Sequence, residues 1–213
     1  MKNNTINTFP CFSEKYSNKF ILNSTEIKET NFEIKRCAHL EYAISLIGES
    51  GECKDREVQE IHKMSQRKNN PFLCVLIHSL NKTSVESELF GYEKAIFSDA
   101  DRNNAGRFET TDSGTIYPPE ISDLSESFQL KLLYFIQRRT ITRIGQNPYQ
   151  GEKTIDVRLI FAANKKATYK KSDFIVENGK MNSDFYNRIN VRQINMPLMR
   201  QRRDRNSLQI LCN

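Results

Sequence analysis

Short apolar runs alternate along the chain with segments in which apolar residues recur at helical spacing. The runs are bounded by Gly, Pro or polar residues and cover 44–47, 71–77, 115–117, 155–163 and 191–196. Runs of this size are typical of strands that are buried on both faces of a sheet. The helical segments cover 25–37, 55–66 and 124–137. Because strands and helices alternate, the sequence predicts an α/β fold with a parallel sheet and right-handed crossovers.

Two of the predicted helices carry additional local signals. In the segment 25–37, Ile27, Phe32 and Ile34 are the candidates for the face that packs on the core. The segment 124–137 is preceded by Asp123, with Glu126 three residues later, which is the spacing of a capping box. The sequence therefore predicts that this helix starts close to Leu124.

The composition is that of an ordinary folded domain. Of 213 residues, 38% are apolar and 27% are charged, which excludes a fully disordered chain. No run approaches the ~20 apolar residues of a membrane helix, and the Asn- and Thr-rich start lacks the pattern of a signal peptide. We therefore expect a cytoplasmic protein without a membrane partner. Residues 1–22 show little periodicity and are predicted to form a poorly ordered tail.

Charge and cysteine content change this picture little. The net charge of +6 comes from 32 basic and 26 acidic residues, a mild imbalance, so direct DNA binding is not expected. The five cysteines are odd in number and scattered, which favours reduced thiols over a disulfide framework. The three histidines lack the spacing of a metal site, and no residue is assigned as a metal ligand.

The candidate chemistry begins after the first predicted strand. Residues 48–55 read Gly-Glu-Ser-Gly-Glu-Cys-Lys-Asp and are followed by a helix. A phosphate-binding loop needs this context, because glycines let backbone N–H groups surround the phosphates and a Lys reaches the outer ones. Gly48, Gly51 and Lys54 suit these roles. Cys53 stands where the motif has its second glycine and Asp55 replaces the usual Ser or Thr, so an ordinary Gly-rich turn is the alternative.

Further motifs extend the match beyond the loop. They lie at 87–94, 106–109, 113–115, 129–133, 156–160, 162–164 and 186–191, in this order. Over residues 23–205 the chain resembles the AAA+ ATPase domain of bacterial sigma-54-dependent transcriptional activators, and the stretch 86–94 is the most specific part. The phosphate loop of that family reads Gly-Glu-Ser-Gly-Thr-Gly-Lys-Glu. Asp55 therefore stands where the family has Glu, and Glu52 and Cys53 depart from its pattern.

The resemblance implies a P-loop NTPase fold of the AAA+ type, with a five-stranded parallel sheet flanked by helices. It also implies a ring of identical or related subunits with ATP between them. The task of such rings is the ATP-driven remodelling of RNA polymerase that carries sigma-54. The family continues into a small helical lid; residues 206–213 correspond to a truncated start of that lid, so we expect the lid to be missing.

The resemblance also assigns site residues. The nucleotide-binding residues that it implies are Gly48, Glu49, Ser50, Gly51, Glu52, Cys53, Lys54, Asp55 and Asn164. Glu120 stands at the position that polarises the attacking water, and a solvent-facing acid is the alternative role. Arg188 stands at the second of two positions that offer an arginine to the neighbouring subunit, and a plain surface arginine is the alternative.

Three departures from the family pattern affect hydrolysis. Pro119 replaces the aspartate associated with Mg²⁺, and a pyrrolidine ring can neither hold the water shell of the metal nor neutralise phosphate charge. Asn182 stands at the first arginine position. Leu76 replaces an asparagine that orients the catalytic glutamate. ATP is the nucleotide expected by resemblance, whereas Mg²⁺ has lost its expected ligand.

The loop that touches the sigma factor is altered as well. It reads Gly-Ala-Phe-Thr-Gly-Ala in the family and Ala-Ile-Phe-Ser-Asp-Ala at residues 95–100 of this chain. Phe97 keeps the aromatic ring and Ser98 the hydroxyl, and a buried anchor is the alternative role for Phe97. Both glycines are replaced, and Asp99 removes the freedom to adopt a positive φ.

Three functions stay open from the sequence. The first is a regulator-like AAA+ domain that binds ATP and docks with relatives or with polymerase but has lost hydrolysis. The second is a working ATPase that activates sigma-54 polymerase, and the third is a remnant of a decaying gene. Losses at the metal, arginine and contact-loop positions favour the first and third over the second.

Overall fold

The computed structural model describes residues 25–49, 51–76, 82–94, 96, 102–119, 121, 124–147, 151–164 and 182–198. The predicted tail (1–22) and lid start (206–213) lie outside these residues. The helices are α1 (Thr25–Ala38), α2 (Lys54–Lys63), α3 (Lys82–Phe90), α4 (Arg107–Thr110), α5 (Glu126–Arg138) and α6 (Ser183–Ile189). The strands are β1 (Ile44–Gly48), β2 (Phe72–Cys74), β3 (Gly91–Tyr92), β4 (Asn104–Ala105), β5 (Thr115–Tyr117), β6 (Thr140–Ile141), β7 (Lys153–Thr154), β8 (Arg158–Asn164) and β9 (Arg192–Asn195).

Five strands form one parallel sheet in the order β2-β5-β8-β1-β9. Strand β1 pairs with β8 and β9, and β5 pairs with β2 and β8. Because neighbouring strands run in the same direction, the chain must cross a face of the sheet between them, and helices cover both faces. This architecture confirms the predicted fold class. Two short antiparallel pairs, β3 with β4 and β6 with β7, stand apart from the sheet.

The core consists of two apolar layers, one on each face of the sheet. Along β8, Ile160 packs in the layer of α1 and α2, whereas Phe161 packs in the layer of α3, α5 and α6. Successive side chains of a strand point to opposite faces, so both faces of β8 are buried, as its continuous apolar run predicts. Within the described residues, no helix is both long and apolar enough to span a membrane.

A buried arginine fastens the first helix to the sheet. The side chain of Arg158, at the start of β8, is fully buried. It donates to the carbonyl oxygens of Ala38 at 2.9 Å and of Cys37 at 2.8 Å. These carbonyls lie at the end of α1, where a helix cannot satisfy its own acceptors. The guanidinium therefore provides donors for the last two carbonyls of α1 and holds the end of this helix against β8.

One predicted core position is wrong. Phe32 is 61% exposed on α1, with the Arg36 guanidinium 5.8 Å from its ring centroid, whereas Ile34 is 2% exposed. Residues two apart are separated by about 200° around a helix, so these two side chains cannot both face the sheet. The side chain of Ile27 lies outside the described part of the chain.

The start of α5 also differs from the prediction. The N-cap is Ser125, whose Oγ accepts from the backbone amide of Phe128 at 3.3 Å, and the helix begins at Glu126. The predicted capping box from Asp123 to Glu126 is therefore wrong, and Asp123 itself lies outside the described residues. Serine and aspartate are about equally good caps, so residue type alone does not distinguish the two positions.

Candidate functional site

The loop after β1 leads into α2 at the carboxyl end of the sheet. Gly48 is the last residue of β1, and α2 begins at Lys54. The backbone between them is left-handed at Gly51, with φ 87°, and at Cys53, with φ 59°. Ser50 lies outside the described residues. The turn delivers the chain directly into a helix start, where backbone N–H groups lack intrahelical acceptors and favour an anion.

Cys53 adopts a conformation that favours glycine. Its φ of 59° and ψ of 31° are left-handed, which costs a residue with a Cβ roughly 1–2 kcal/mol. Cys53 is the N-cap of α2, but its side chain makes no capping hydrogen bond, and its thiol lies 3.8 Å from the carbonyl oxygen of Gly51. The loop therefore keeps the backbone course for which the motif has a glycine, with a strained residue in that position.

Lys54 lies across the loop. Its side chain is 9% exposed, and its Nζ donates to the carbonyl oxygens of Gly48 at 3.0 Å and Glu49 at 2.8 Å. The ammonium group is thus held beside the start of the loop, close to the amides that open α2. This is the position from which a lysine can reach a phosphate bound by those amides.

Glu52 is folded into the loop. It is 2% exposed, and its Oε2 accepts from the backbone amide of Glu49 at 2.8 Å. A Cβ placed on Gly48 would lie 2.3 Å from this oxygen, so the close approach requires glycine at position 48. The family has a threonine in place of Glu52. The substitution therefore brings an acidic side chain into the interior of a loop that is expected to bind phosphates.

Asp55 is linked to the neighbouring strand. The hydroxyl of Tyr117, the last residue of β5, donates to Oδ1 of Asp55 at 2.5 Å. Tyr117 itself is 1% exposed. Sequence reasoning assigned no role to Tyr117, although a hydroxyl at the carboxyl end of a buried strand is a signal for a hydrogen bond near the site. The bond joins the start of α2 to the strand that precedes Pro119.

The ends of β2 and β5 lie side by side. Cys74 pairs with Tyr117, and the amide of Val75 donates to the carbonyl oxygen of Tyr117 at 2.9 Å. Strand β5 stops at Tyr117, so the buried Pro118 and Pro119 follow the strand instead of interrupting it. This explains how the sheet accepts two residues that lack an amide donor.

The residues at this edge do not fit the Mg²⁺ that the resemblance implies. Magnesium is held by oxygen ligands, above all carboxylates and phosphates. Pro119 offers none, and the carboxylate of Asp55 already accepts from Tyr117. Among the residues that the structure describes, no three His, Cys, Asp or Glu side chains gather closely enough to hold a metal ion. Glu120 lies outside the described residues.

Asn164 ends β8 next to the loop. Its backbone position pairs with Gly48 in the parallel register of β1 and β8. A polar residue at the end of β8 thus lies beside Gly48, the residue with which the loop begins. The side chain of Asn164 lies outside the described part of the structure, and its role in sensing nucleotide stays a prediction.

The two arginine positions lie at opposite ends of α6. Asn182 is the N-cap: its Oδ1 accepts from the amides of Asp184 at 2.9 Å and Phe185 at 3.1 Å. Its own amide donates to Oε1 of Gln129 at 2.7 Å. Arg188 is exposed in the last turn of the helix. The residue at the first arginine position is therefore a helix cap. Sequence reasoning identified the loss of the arginine but not the capping role of Asn182.

An ion-pair cluster includes Glu93, which lies just before the segment of Phe97 and Ser98 in the chain. Arg143 donates to both carboxylate oxygens of Glu109, at 2.7 Å and 3.0 Å, and to Glu93 at 3.3 Å. Lys153 adds a contact to Glu109 at 2.8 Å. These hydrogen bonds, led by the one from Arg143, lower the pKa of Glu109 to about 2. Phe97 and Ser98 themselves lie outside the described residues.

Backbone hydrogen bonds tie the same region together. The amide of Glu93 donates to the carbonyl of Ile144 at 3.0 Å, and the amide of Ile144 donates to the carbonyl of Gly91 at 3.0 Å. The amide of Lys94 donates to Oδ1 of Asn103 at 2.7 Å, across the mouth of the loop. We call Glu93, Lys94, Asn103, Glu109, Arg143, Ile144 and Lys153 the contact-loop base.

Solved structures share the fold of this chain. The P-loop NTPase domain of the sigma-54 transport activator from E. coli matches with a TM-score of 0.52 and 12% identity, over 80% of this chain and 93% of that one. NtrX from Brucella abortus in complex with ADP matches with a TM-score of 0.76 and 26% identity, over 91% of this chain and 40% of that one. The fold and the loop define a P-loop NTPase domain of the AAA+ type.

Sequence comparison gives the family. The model of the sigma-54 interaction domain matches residues 20–195. The Nif-specific regulatory protein of Azospirillum brasilense is 39% identical over 188 residues, which are 87% of this chain and 28% of the relative. The chain belongs to the sigma-54 interaction domain family, as its motifs predict. It spans less than a third of the length of this curated relative.

Proposed function

We propose that this chain binds an adenine nucleotide in its phosphate loop and acts in the cytoplasm as a regulator of sigma-54 RNA polymerase, without hydrolysing ATP as an intact activator does. One observation carries the proposal. The loop at 48–55 keeps a left-handed backbone and an inward lysine, while the adjoining strand β5 runs into Pro118 and Pro119. The part that would bind phosphate is retained, and the part that would promote hydrolysis is replaced.

Support for nucleotide binding comes from the loop itself. Gly51 and Cys53 turn the chain so that α2 begins at Lys54, and the lysine ammonium lies against the loop. Backbone amides at a helix start together with a lysine are the general means of binding a polyphosphate. The structural relative NtrX has been solved with ADP, which makes adenine nucleotides the first ligands to test.

Two substitutions argue against rapid hydrolysis. Pro119 has no carboxylate to place a metal ion, and Asn182 serves as a helix cap where the family has an arginine. An arginine supplied by a neighbouring subunit is worth roughly 10³–10⁵ in rate in related phosphoryl-transfer enzymes. In an assembly with copies or relatives of this chain, Arg188 would supply one of the two arginines, and the other would be missing.

Support for a role at the polymerase comes from the contact-loop base. Glu93, Glu109 and Arg143 form a connected ion-pair cluster at the foot of the loop that carries Phe97. A loop held at both ends loses less conformational freedom on docking than a loose one, which favours binding. We therefore propose that the protein docks on sigma-54 RNA polymerase through this loop and does not undergo a cycle of ATP hydrolysis.

The proposal predicts no phosphate release above background when the purified chain is incubated with ATP and Mg²⁺. The matched control is the same domain of a relative that keeps aspartate at the position of Pro119, assayed at equal concentration. Turnover by this chain within about tenfold of that control would contradict the loss of hydrolysis.

Docking is tested by binding of the chain to purified sigma-54 factor on a biosensor surface. We expect Phe97→Ala to weaken binding by about tenfold, because an aromatic contact at an interface is commonly worth more than 1 kcal/mol. Phe32→Ala is the matched control, since Phe32 is 61% exposed on α1 and lies outside the contact loop. Equal losses in the two variants would reject the contact loop as the docking element.

A further inference from the structure

The described residues that follow β2 and β5, at the edge of the sheet that would face the end of a triphosphate, have apolar side chains. Cys74 of β2 pairs with Tyr117 of β5, and the chain continues from these positions into Leu76 and Pro119. Leu76 is 39% exposed, and Pro119 is buried. The described residues that directly follow the two strands thus present hydrocarbon where the family has an asparagine and an aspartate.

The apolar side chains of Leu76 and Pro119 have no group that binds the γ-phosphate. In phosphoryl-transfer sites a metal ion bridges the β- and γ-phosphate oxygens and offsets their charge, and a carboxylate holds that metal. Leucine and proline neither donate a hydrogen bond to phosphate nor bind a cation. Asp55, the described carboxylate next to this edge, has one oxygen occupied by the Tyr117 hydroxyl at 2.5 Å.

The charge of the loop acts in the same direction. Glu52 adds a carboxylate that the family loop lacks, and it is only 2% exposed. Together with Glu49 and Asp55 it outnumbers the single positive charge of Lys54. Like charges repel more strongly where water is excluded, so the loop adds no attraction for a third phosphate.

We propose that this site recognises the diphosphate part of a nucleotide and gains no affinity from a γ-phosphate or from Mg²⁺. ADP and ATP then bind alike, with or without the cation. This inference rests on the proposed nucleotide binding and specifies its chemistry. Occupancy of the site would then follow the total concentration of adenine nucleotide instead of the ratio of ATP to ADP. The fraction of the domain with bound nucleotide would therefore not change when ATP is converted to ADP.

The test is calorimetric titration of the full chain with ADP and with ATP, each in excess Mg²⁺ and in EDTA. We expect four dissociation constants within about threefold of one another. If ATP with Mg²⁺ binds about tenfold or more tightly than ADP in EDTA, this inference is wrong and the proposed nucleotide binding still stands. If neither nucleotide binds under any condition, both proposals are wrong.

A restoring variant tests the assignment to the strand ends. Leu76→Asn combined with Pro119→Asp returns the two polar side chains, and we expect ATP to gain about tenfold in affinity in Mg²⁺ but not in EDTA. Leu130→Asn is the control, because Leu130 is a 47% exposed leucine on α5. Circular dichroism identifies variants that remain folded. A folded double variant without a Mg²⁺-dependent gain would contradict the assignment.

Discussion

The phosphate loop and the contact-loop base belong to one domain but differ in how their side chains are accommodated. In the phosphate loop, Cys53 is left-handed and Glu52 brings a carboxylate into the interior. In the contact-loop base, Glu109 is paired with Arg143 and Lys153, and Arg143 reaches Glu93 as well. The substituted positions of the phosphate loop thus carry backbone strain and a buried acid, whereas the acids of the contact-loop base are paired with basic partners.

This difference between the two regions follows from what their residues contribute to the stability of the fold. Residues that hold a frame are kept by folding itself, because breaking a partly buried ion pair leaves an uncompensated charge. Residues that serve hydrolysis contribute little to stability and often strain the chain, so folding does not retain them. The contrast is therefore what we expect of the proposed domain, which folds and docks without hydrolysing ATP.

The largest expected effect is at the contact-loop base. Arg143→Ala should lower the free energy of unfolding by about 2–3 kcal/mol at pH 7, because Glu109, whose side chain is 5% exposed, loses its bidentate partner. Urea denaturation followed by circular dichroism measures the change. Arg107→Ala is the matched control: its ion pair with Glu88 is 37% and 38% exposed and should matter by no more than about 0.5 kcal/mol. Equal losses of stability in the two variants would show that the ion pairs of the contact-loop base stabilise the fold no more than an exposed pair does.

The second effect separates α2 from the contact-loop base by pH. His62 lies in the last turn of α2, at the opposite end of this helix from the phosphate loop, and its pKa is lowered to about 4 by burial and by the nearby Arg158. The unfolded chain takes up a proton near pH 6.5, so stability should fall as the pH drops from 6.5 to 4, by up to about 2 kcal/mol after allowance for screening. The contribution of Glu109, with its pKa near 2, should disappear only below pH 4.5.

Denaturation curves between pH 7 and pH 3 check this order. His62→Gln should remove the loss between pH 6.5 and 4, since glutamine is neutral and can still bond to Thr115, which lies 3.0 Å from Nδ1 of His62. His39→Gln is the control, because His39 is exposed. A persistent slope in His62→Gln, or its removal in the control, would show that another group is responsible.

The smallest effect concerns the strain in the phosphate loop. Cys53→Gly relieves a left-handed residue but increases the freedom of the unfolded chain, so we expect a net gain of about 0.5–1 kcal/mol in stability. Cys53→Ala should leave stability near that of the natural chain, because alanine keeps the Cβ and loses only the thiol. Thermal unfolding of both variants makes the comparison. If alanine stabilises as much as glycine, the thiol and not the backbone is the source of strain.

The sequence predicted the sheet well, and two of its shortest apolar runs match their strands best. The runs at 44–47 and 115–117 become β1 and β5 almost residue for residue, because both faces of these strands are buried. The run at 155–163 starts too early: Ile155 and Val157 are buried, but β8 begins at Arg158. The two-residue strands β3, β4, β6 and β7 were not predicted, since elements of that length show no periodicity.

The location of the site could be predicted, but its contacts could not. The motif identified the loop at 48–55, because a strand, glycines and a lysine in sequence require no tertiary information. The bond from Tyr117 to Asp55 depends on where β5 lies relative to α2, and the folding of Glu52 onto the amide of Glu49 depends on a rotamer. The cap made by Asn182 depends on where α6 begins, which local sequence left unassigned.

Asn182 has a consequence for any attempt to place an arginine at this position. Its side chain accepts two amide protons at the start of α6, and a helix cap of this kind is worth about 1 kcal/mol. The side chain of arginine has no acceptor atom, so Asn182→Arg alone would leave both amides without this cap and weaken the first turn of the helix. An arginine at position 182 therefore needs a second change that supplies a new cap.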